Sequence, residues 1–298
     1  MRNTVTVGLV QMACGEHPES NDEKAFDLIR QAAAEGAQII CTQELFKTPY
    51  FCQTEDRALF QLAEPVGSAS PSVTLLRELA ADLGVVLIAS PFEKQVPGLF
   101  YNASVVIDAD GEYLGKYRKM HIPDDPLYYE KFFFAPGDLG YQVFRTRYAD
   151  IGVLICWDQW FPEAARLTAM KGAQIIFYPT AIGYYAGQRD PRGIGGHDAW
   201  QTVQRGHAVA NACYVAAVNR VGLEPNREGK GGIEFWGQSF IADPNGMVIA
   251  QASETEEQIL THSVDLSLIE TTRRSLAHFF RDRRIDSYSG LTKRFLDD

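Results

Sequence analysis

Ile151-Gly152-Val153-Leu154-Ile155-Cys156-Trp157-Asp158-Gln159-Trp160-Phe161-Pro162-Glu163-Ala164-Ala165-Arg166 is the stretch from which the fold can be read. It opens as the apolar run of a buried parallel strand, reaches a lone thiol, and turns at Pro162 into a helix. Open α/β sheets place their ligand sites at the carboxyl ends of such strands. Cys156 is therefore a candidate nucleophile. Most free cysteines are simply small buried apolar residues, so the stretch by itself does not settle the role of the thiol.

Of the 298 residues, 46% are hydrophobic and 22% charged, the profile of a globular protein with a sizeable core. One domain over residues 1–298 is expected, since no linker or repeat interrupts the chain. No run approaches the length of a membrane span, and the first residues lack the pattern of a signal peptide, so a cytoplasmic protein without membrane contact is expected. The five cysteines are odd in number, and no two form a C-x-x-C pair, which argues against a disulfide framework or a zinc knuckle. A formal net charge of −10 argues against nucleic acid as a partner.

Working outward, Thr4 to Met12 reads as a first strand. Ser20-Asn21-Asp22-Glu23 reads as a capping box, ahead of a helix with Phe26, Ile29 and Ala33 on one face and Gly36 at its end. Ala37 to Cys41 is the next strand, and it delivers Gln43 and Glu44 to a strand end. A second unit follows, with Ser70 as cap, Pro71 at the first helical position, Gly84 as stop, and a strand from Val85 to Ala89. Hairpins are predicted around Asp108-Ala109-Asp110-Gly111 and Asp243-Pro244-Asn245-Gly246.

Lys116 to Gly140 is an aromatic-rich loop that must pack on something. Beyond the Cys156 stretch come a helix to about Lys171, a strand from Ala173 to Tyr178, and a loop from Pro179 to His197. A helix over 198–212 with apolar Trp200, Val203 and Val209 leads into a strand from Cys213 to Val218. Two halves of like plan imply two mixed sheets packed face to face with helices outside. The tail from Thr271, with Arg273, Arg274, Arg281, Arg283 and Arg284 among apolar residues, is expected at a subunit interface.

A free thiol is mostly protonated at neutral pH and needs a base. None of the six histidines, His17, His121, His197, His207, His262 and His278, stands in a catalytic motif. A carboxylate such as Glu44 serves equally well if buried. Lys119 and the main-chain N–H of Trp157 suit the negative oxygen of a tetrahedral intermediate. Taken singly, Glu44 reads equally as a solvated acid and Lys119 as one more surface base.

Gln43-Glu44-Leu45-Phe46, Tyr117-Arg118-Lys119-Met120-His121 and Ile151 to Asp158, in that order and each in that local setting, resemble the nitrilase superfamily of carbon–nitrogen hydrolases. The resemblance implies an α/β fold, a four-layer αββα sandwich, with dimers that build homo-oligomers. It implies Cys156 as nucleophile, Glu44 as base, Lys119 as oxyanion partner and Glu130 as an auxiliary acid, with no cofactor and no metal. Tyr50, Trp157, Ala181, Tyr184 and Tyr185 are the substrate contacts it suggests.

Lys119 to Phe134, Cys156 to Glu163 and Tyr178 to Gly183 are similar to the branch that hydrolyses N-carbamoylputrescine to putrescine, ammonia and carbon dioxide. Where putrescine-recognising members carry Ser-Glu-Pro, Tyr184-Tyr185-Ala186 stands here. The substrate's ammonium is then left to the tyrosine faces or to Asp124 and Asp125. The alternatives are the same chemistry on N-carbamoyl-β-alanine, with Arg189 and Arg192 as carboxylate partners, or on an ω-amide. A binding module without turnover is a third reading, opposed by the intact Glu44, Lys119 and Cys156.

Overall fold

The computed structural model describes residues 3–189, 196–227, 229, 231–275 and 278–296. Two mixed sheets face each other. The first runs in the order Gln258–Asp265, Thr4–Gln11, Ile39–Glu44, Val86–Ser90, Leu99–Ile107, Phe92–Val96, with Tyr113–Arg118 also paired to Leu99–Ile107. The second runs Val248–Gln251, Phe240–Ala242, Tyr214–Val218, Ile175–Pro179, Asp150–Val153, Val143–Arg145. A small third sheet joins Gly183–Tyr185, Gly232–Trp236 and Val221–Pro225.

The central strands are parallel and buried on both faces, which is why they read as unbroken apolar runs. Successive residues serve different layers. Ile39, Cys41, Leu9 and Ile88 pack between the sheets with Val153, Phe177 and Val215. Ile40, Val10 and Leu87 face outward onto Ala25, Ile29, Leu76 and Leu79 of helices Pro18–Ala34 and Pro71–Leu83. Helices Pro162–Met170 and His197–Asn211 lie over the second sheet, completing the four layers. No helix among the described residues is long and apolar enough to cross a membrane.

Most expected elements are present, with Ser70 before Pro71 and Gly84 closing that helix at φ +66°. The capping box is not. Pro18 starts the first helix, His17 precedes it without a side-chain cap, and Ser20 falls inside the first turn. A proline preset for the first helical position overrides the later Ser signal. Val209 is 42% exposed, and the buried face of its helix carries Trp200, Gln204, His207 and Asn211 instead. Within the two predicted loops lie a helical turn, Glu130–Phe133, and the strand Gly183–Tyr185. The strand Gln258–Asp265, unread in the sequence, pairs antiparallel with Thr4–Gln11.

Candidate active site

Glu44 is the last residue of Ile39–Glu44, and Cys156 follows Asp150–Val153. Lys119 follows Tyr113–Arg118, which reverses direction twice from Val86–Ser90 and so ends at the same edge. The topology therefore gathers the Glu44 carboxylate, the Lys119 ammonium and the Cys156 thiol at one end of the sandwich. A broad groove lined by Thr4, Gln38, Asp150 and Gln174 lies at the opposite, amino ends of these strands. It holds none of the expected reacting groups.

Lys119 Nζ donates to Glu44 Oε1 at 2.8 Å and to both oxygens of Glu130, at 2.9 and 2.6 Å. All three side chains are buried. Tyr50 donates its hydroxyl to Glu130 Oε1 at 2.6 Å, and Asn102 Nδ2 donates to Glu44 Oε1 at 2.6 Å. Glu44 Oε2 is buried and has no hydrogen-bond partner among the described residues, so one acceptor of the expected base is free. Burial pulls the Lys119 ammonium down, but Glu130 and Glu44 outweigh it and hold its pKa well above the usual lysine value. Burial raises the Glu130 carboxyl to about 7 against the pull of Lys119, with Glu44 adding to the rise. Buried ionised groups are poor sources of stability, and such clusters concentrate at functional sites.

Cys156 heads the short turn Cys156–Trp160 at φ +44°, with its Sγ 3.9 Å from the carbonyl of Ala181. Burial pushes the thiol well above its usual pKa, Glu44 adds to this, and Lys119 opposes it. The resting sulfur is thus held as a thiol. Trp157, the next residue of the turn, has its ring 6.2 Å from that of Trp160. Main-chain N–H groups at a helical start have no intrahelical acceptor, which suits an oxyanion. Asp158 accepts from Tyr117 Oη at 2.8 Å, Ile155 N at 2.9 Å, and His121 N and Nδ1 at 3.0 and 2.7 Å. The pattern of the carbon-nitrogen hydrolase family matches residues 6–274.

The chain belongs to the carbon-nitrogen hydrolase family.

This hydrolase is 46% identical to an N-carbamoylputrescine amidase of Arabidopsis thaliana over 97% of its own chain and 96% of the relative. It is 41% identical to a citrullinase of Francisella tularensis, covering 98% and 99%. A crystal structure of a carbon-nitrogen hydrolase from Helicobacter pylori superposes with a TM-score of 0.93 at 43% identity, covering 98% and 100%. The protein is an amidohydrolase that acts on carbon–nitrogen bonds other than peptide bonds. Among its described residues, no group of three or more His, Cys, Asp and Glu side chains is placed to hold a metal ion.

Around Glu44, Lys119 and Cys156, the hydrolase builds its walls from loops. Asn219 bonds both the N–H and the carbonyl of Ile182, at 3.0 Å each, and so fixes the loop carrying Ala181. The Tyr128 hydroxyl accepts from Gly183 N at 3.1 Å and donates to Gly183 O at 3.2 Å. A Cβ on Gly183 would lie 2.2 Å from the carbonyl of Glu234, so only glycine fits that strand. Tyr128 is also within electrostatic reach of Cys156, Glu44 and Tyr185.

The expected tail contacts of the hydrolase divide. Tyr50 and Ala181 are at the centre, whereas the ring of Tyr184 packs 4.8 Å from Trp236. Tyr185 is 39% exposed, with Asp125 and Tyr129 near its hydroxyl. Asp124 is exposed as well. Arg189 is engaged by both carboxylate oxygens of Glu234. Arg192 lies outside the described residues. Sequence reasoning missed Asn102 and Asn219, neither of which stands in a motif, and left Tyr128 without a role inside the Lys119 to Phe134 stretch.

Proposed function

We propose that this hydrolase cleaves the carbamoyl C–N bond of N-carbamoylputrescine to putrescine, ammonia and carbon dioxide. The observation that carries the reading is Lys119 held 2.8 Å from Glu44 at the strand ends where Cys156 also stands. Glu44 takes the thiol proton as Cys156 Sγ attacks the carbamoyl carbon, and Lys119 with the Trp157 N–H receives the negative oxygen. Glu44 then gives the proton to departing ammonia, leaving a carbamoyl thioester. Water that gives a proton to Glu44 attacks the thioester and restores the thiol. The carbamic acid so formed loses carbon dioxide and frees the amine. Glu130, tied to Lys119 and Tyr50, orients the ammonium.

The similarity to N-carbamoylputrescine amidases supports the tail assignment. So does the path from Tyr128 to Tyr185 and Asp125, where an exposed carboxylate beside tyrosine rings suits a terminal ammonium. A carboxylate tail, as in N-carbamoyl-β-alanine, calls for a free cation, and Glu234 already occupies Arg189. Citrulline is the second reading, favoured by the similarity to a citrullinase. Rates on the three compounds side by side decide. A preference for either acid by about tenfold, ~1.4 kcal/mol of transition-state discrimination, overturns the putrescine reading.

We also read the protein as a cytoplasmic homo-oligomer built from dimers. Support for association comes from Leu167, Met170 and Val209, exposed apolar side chains on two adjacent helices, with Ile285 and Phe295 of the tail exposed too.

A further inference from the structure

Arg220 is among the largest fully buried side chains, and the proposed reaction makes no use of it. Its guanidinium donates to the main-chain carbonyls of Glu44 at 3.0 Å, Leu45 at 2.9 Å and Thr48 at 2.8 Å. It also donates to Glu224 Oε1 at 2.6 Å, and the other oxygen of Glu224 accepts the main-chain N–H of Tyr50 at 2.5 Å. Two side chains from the far end of the sequence thus grip residues 44, 45, 48 and 50 by their backbone.

That segment begins with the base and ends with the tyrosine whose hydroxyl meets Glu130. Leu45 within it sits at φ +51°, a left-handed conformation that a residue with a side chain keeps only when its surroundings impose it. A buried ion pair adds little net stability, and its best-attested use is to fix a geometry. Rate is sensitive to such geometry, since displacement of a reacting group by about 1 Å costs on the order of 100-fold.

We propose that Arg220 and Glu224 are positioning residues: through the 44–50 segment they set where Glu44 and the Tyr50–Glu130 pair stand relative to Cys156. The inference rests on the reading of Glu44 as the base.

A double-mutant cycle on the full chain tests it. Glu224→Gln keeps the side chain's size but turns an NH₂ toward one of its two donors, Arg220 or the Tyr50 N–H. Tyr50→Phe removes only the hydroxyl. For each variant kcat and KM on N-carbamoylputrescine are measured, together with the rate at which iodoacetamide alkylates Cys156, read by peptide mass. Glu224→Gln is expected to lower kcat by about tenfold or more and slow alkylation similarly, with KM within about threefold. Tyr50→Phe alone also lowers kcat by about tenfold, but added to Glu224→Gln it lowers kcat by less than about threefold further, because both act through one contact.

Losses that multiply, or a loss carried by KM alone, overturn the proposal. If melting curves show Glu224→Gln unfolded, Arg220→Lys takes its place in the same cycle with the same outcomes. A wild-type protein that leaves N-carbamoylputrescine intact overturns the functional reading alone. The alkylation arm needs no substrate, and a rate unchanged from wild type in the folded variant overturns the positioning role by itself.

Discussion

Asp158 takes both the main-chain N–H and the ring Nδ1 of His121, at 3.0 and 2.7 Å, and so bolts the loop that carries Lys119 to the turn that carries Cys156. The ring of His121 lies flat on Phe161, 3.7 Å between centroids, which closes the joint from outside. The ammonium and the thiol are therefore placed by one carboxylate, although 37 residues separate Lys119 from Cys156.

Removing that carboxylate leaves Tyr117 Oη and Ile155 N buried without an acceptor. Asp158→Ala is expected to lose ~3 kcal/mol of stability, since each stranded donor costs about 1–3 kcal/mol. Urea denaturation followed by fluorescence measures it. An unchanged midpoint would show that other contacts hold the two loops.

Glu44→Gln is expected to lower kcat by about 10³-fold, within the range for loss of a general base, and to leave the melting temperature within a few degrees. The thiol pKa is raised by burial, so without the base Cys156 reacts only through its sparse thiolate. Its alkylation rate in the variant should climb about tenfold per pH unit from neutrality upward. A flat profile would mean that another group takes the proton.

Glu130 couples stability to pH. Its carboxyl is raised by burial to about 7, above the 4.5 of an unperturbed glutamate, so the folded chain keeps a proton that the unfolded chain releases. The contribution is full below about pH 4.5 and is lost as pH rises through about 7. The stability of wild type minus that of Glu130→Gln should accordingly be larger near pH 5 than near pH 8. Equal differences in chemical denaturation at the two pH values would place the proton elsewhere.

Asp125→Asn tests the ammonium end of the substrate. An exposed charge pair is worth up to about 1 kcal/mol, so KM for N-carbamoylputrescine should rise by about fivefold with kcat little changed. N-butylurea, which lacks the ammonium, should show no such rise. An equal effect on both compounds would mean that Asp125 shapes the loop and does not read the charge.

The strand-end places of Glu44 and Cys156 were legible because each closes or follows an apolar run, and strand ends are where such folds place chemistry. Lys119 lacks that signal, since the strand before it, Tyr113–Arg118, is half polar, and the resemblance to a known family marked it. The same holds for Glu130, which opens a four-residue helical turn inside an aromatic loop. Arg220 and Asn102 lay beyond reach for a different reason. Both are buried polar residues whose partners lie far along the chain, 176 residues from Arg220 to Glu44 and 58 from Asn102 to Glu44. Hydrophobic periodicity carries no information about such pairings. Val209 shows the converse error, an apolar residue at helical spacing that faces outward while Gln204 and His207 take the buried face.

The left-handed backbone under Cys156, at φ +44°, is one that glycine adopts freely and that a side chain resists by about 1 kcal/mol or more. The backbone alone would favour glycine at the position that holds the proposed nucleophile. Cys156→Gly would then relax the turn in the same stroke that removes the thiol, and is expected to leave the chain at least as easily folded at that residue as the wild type.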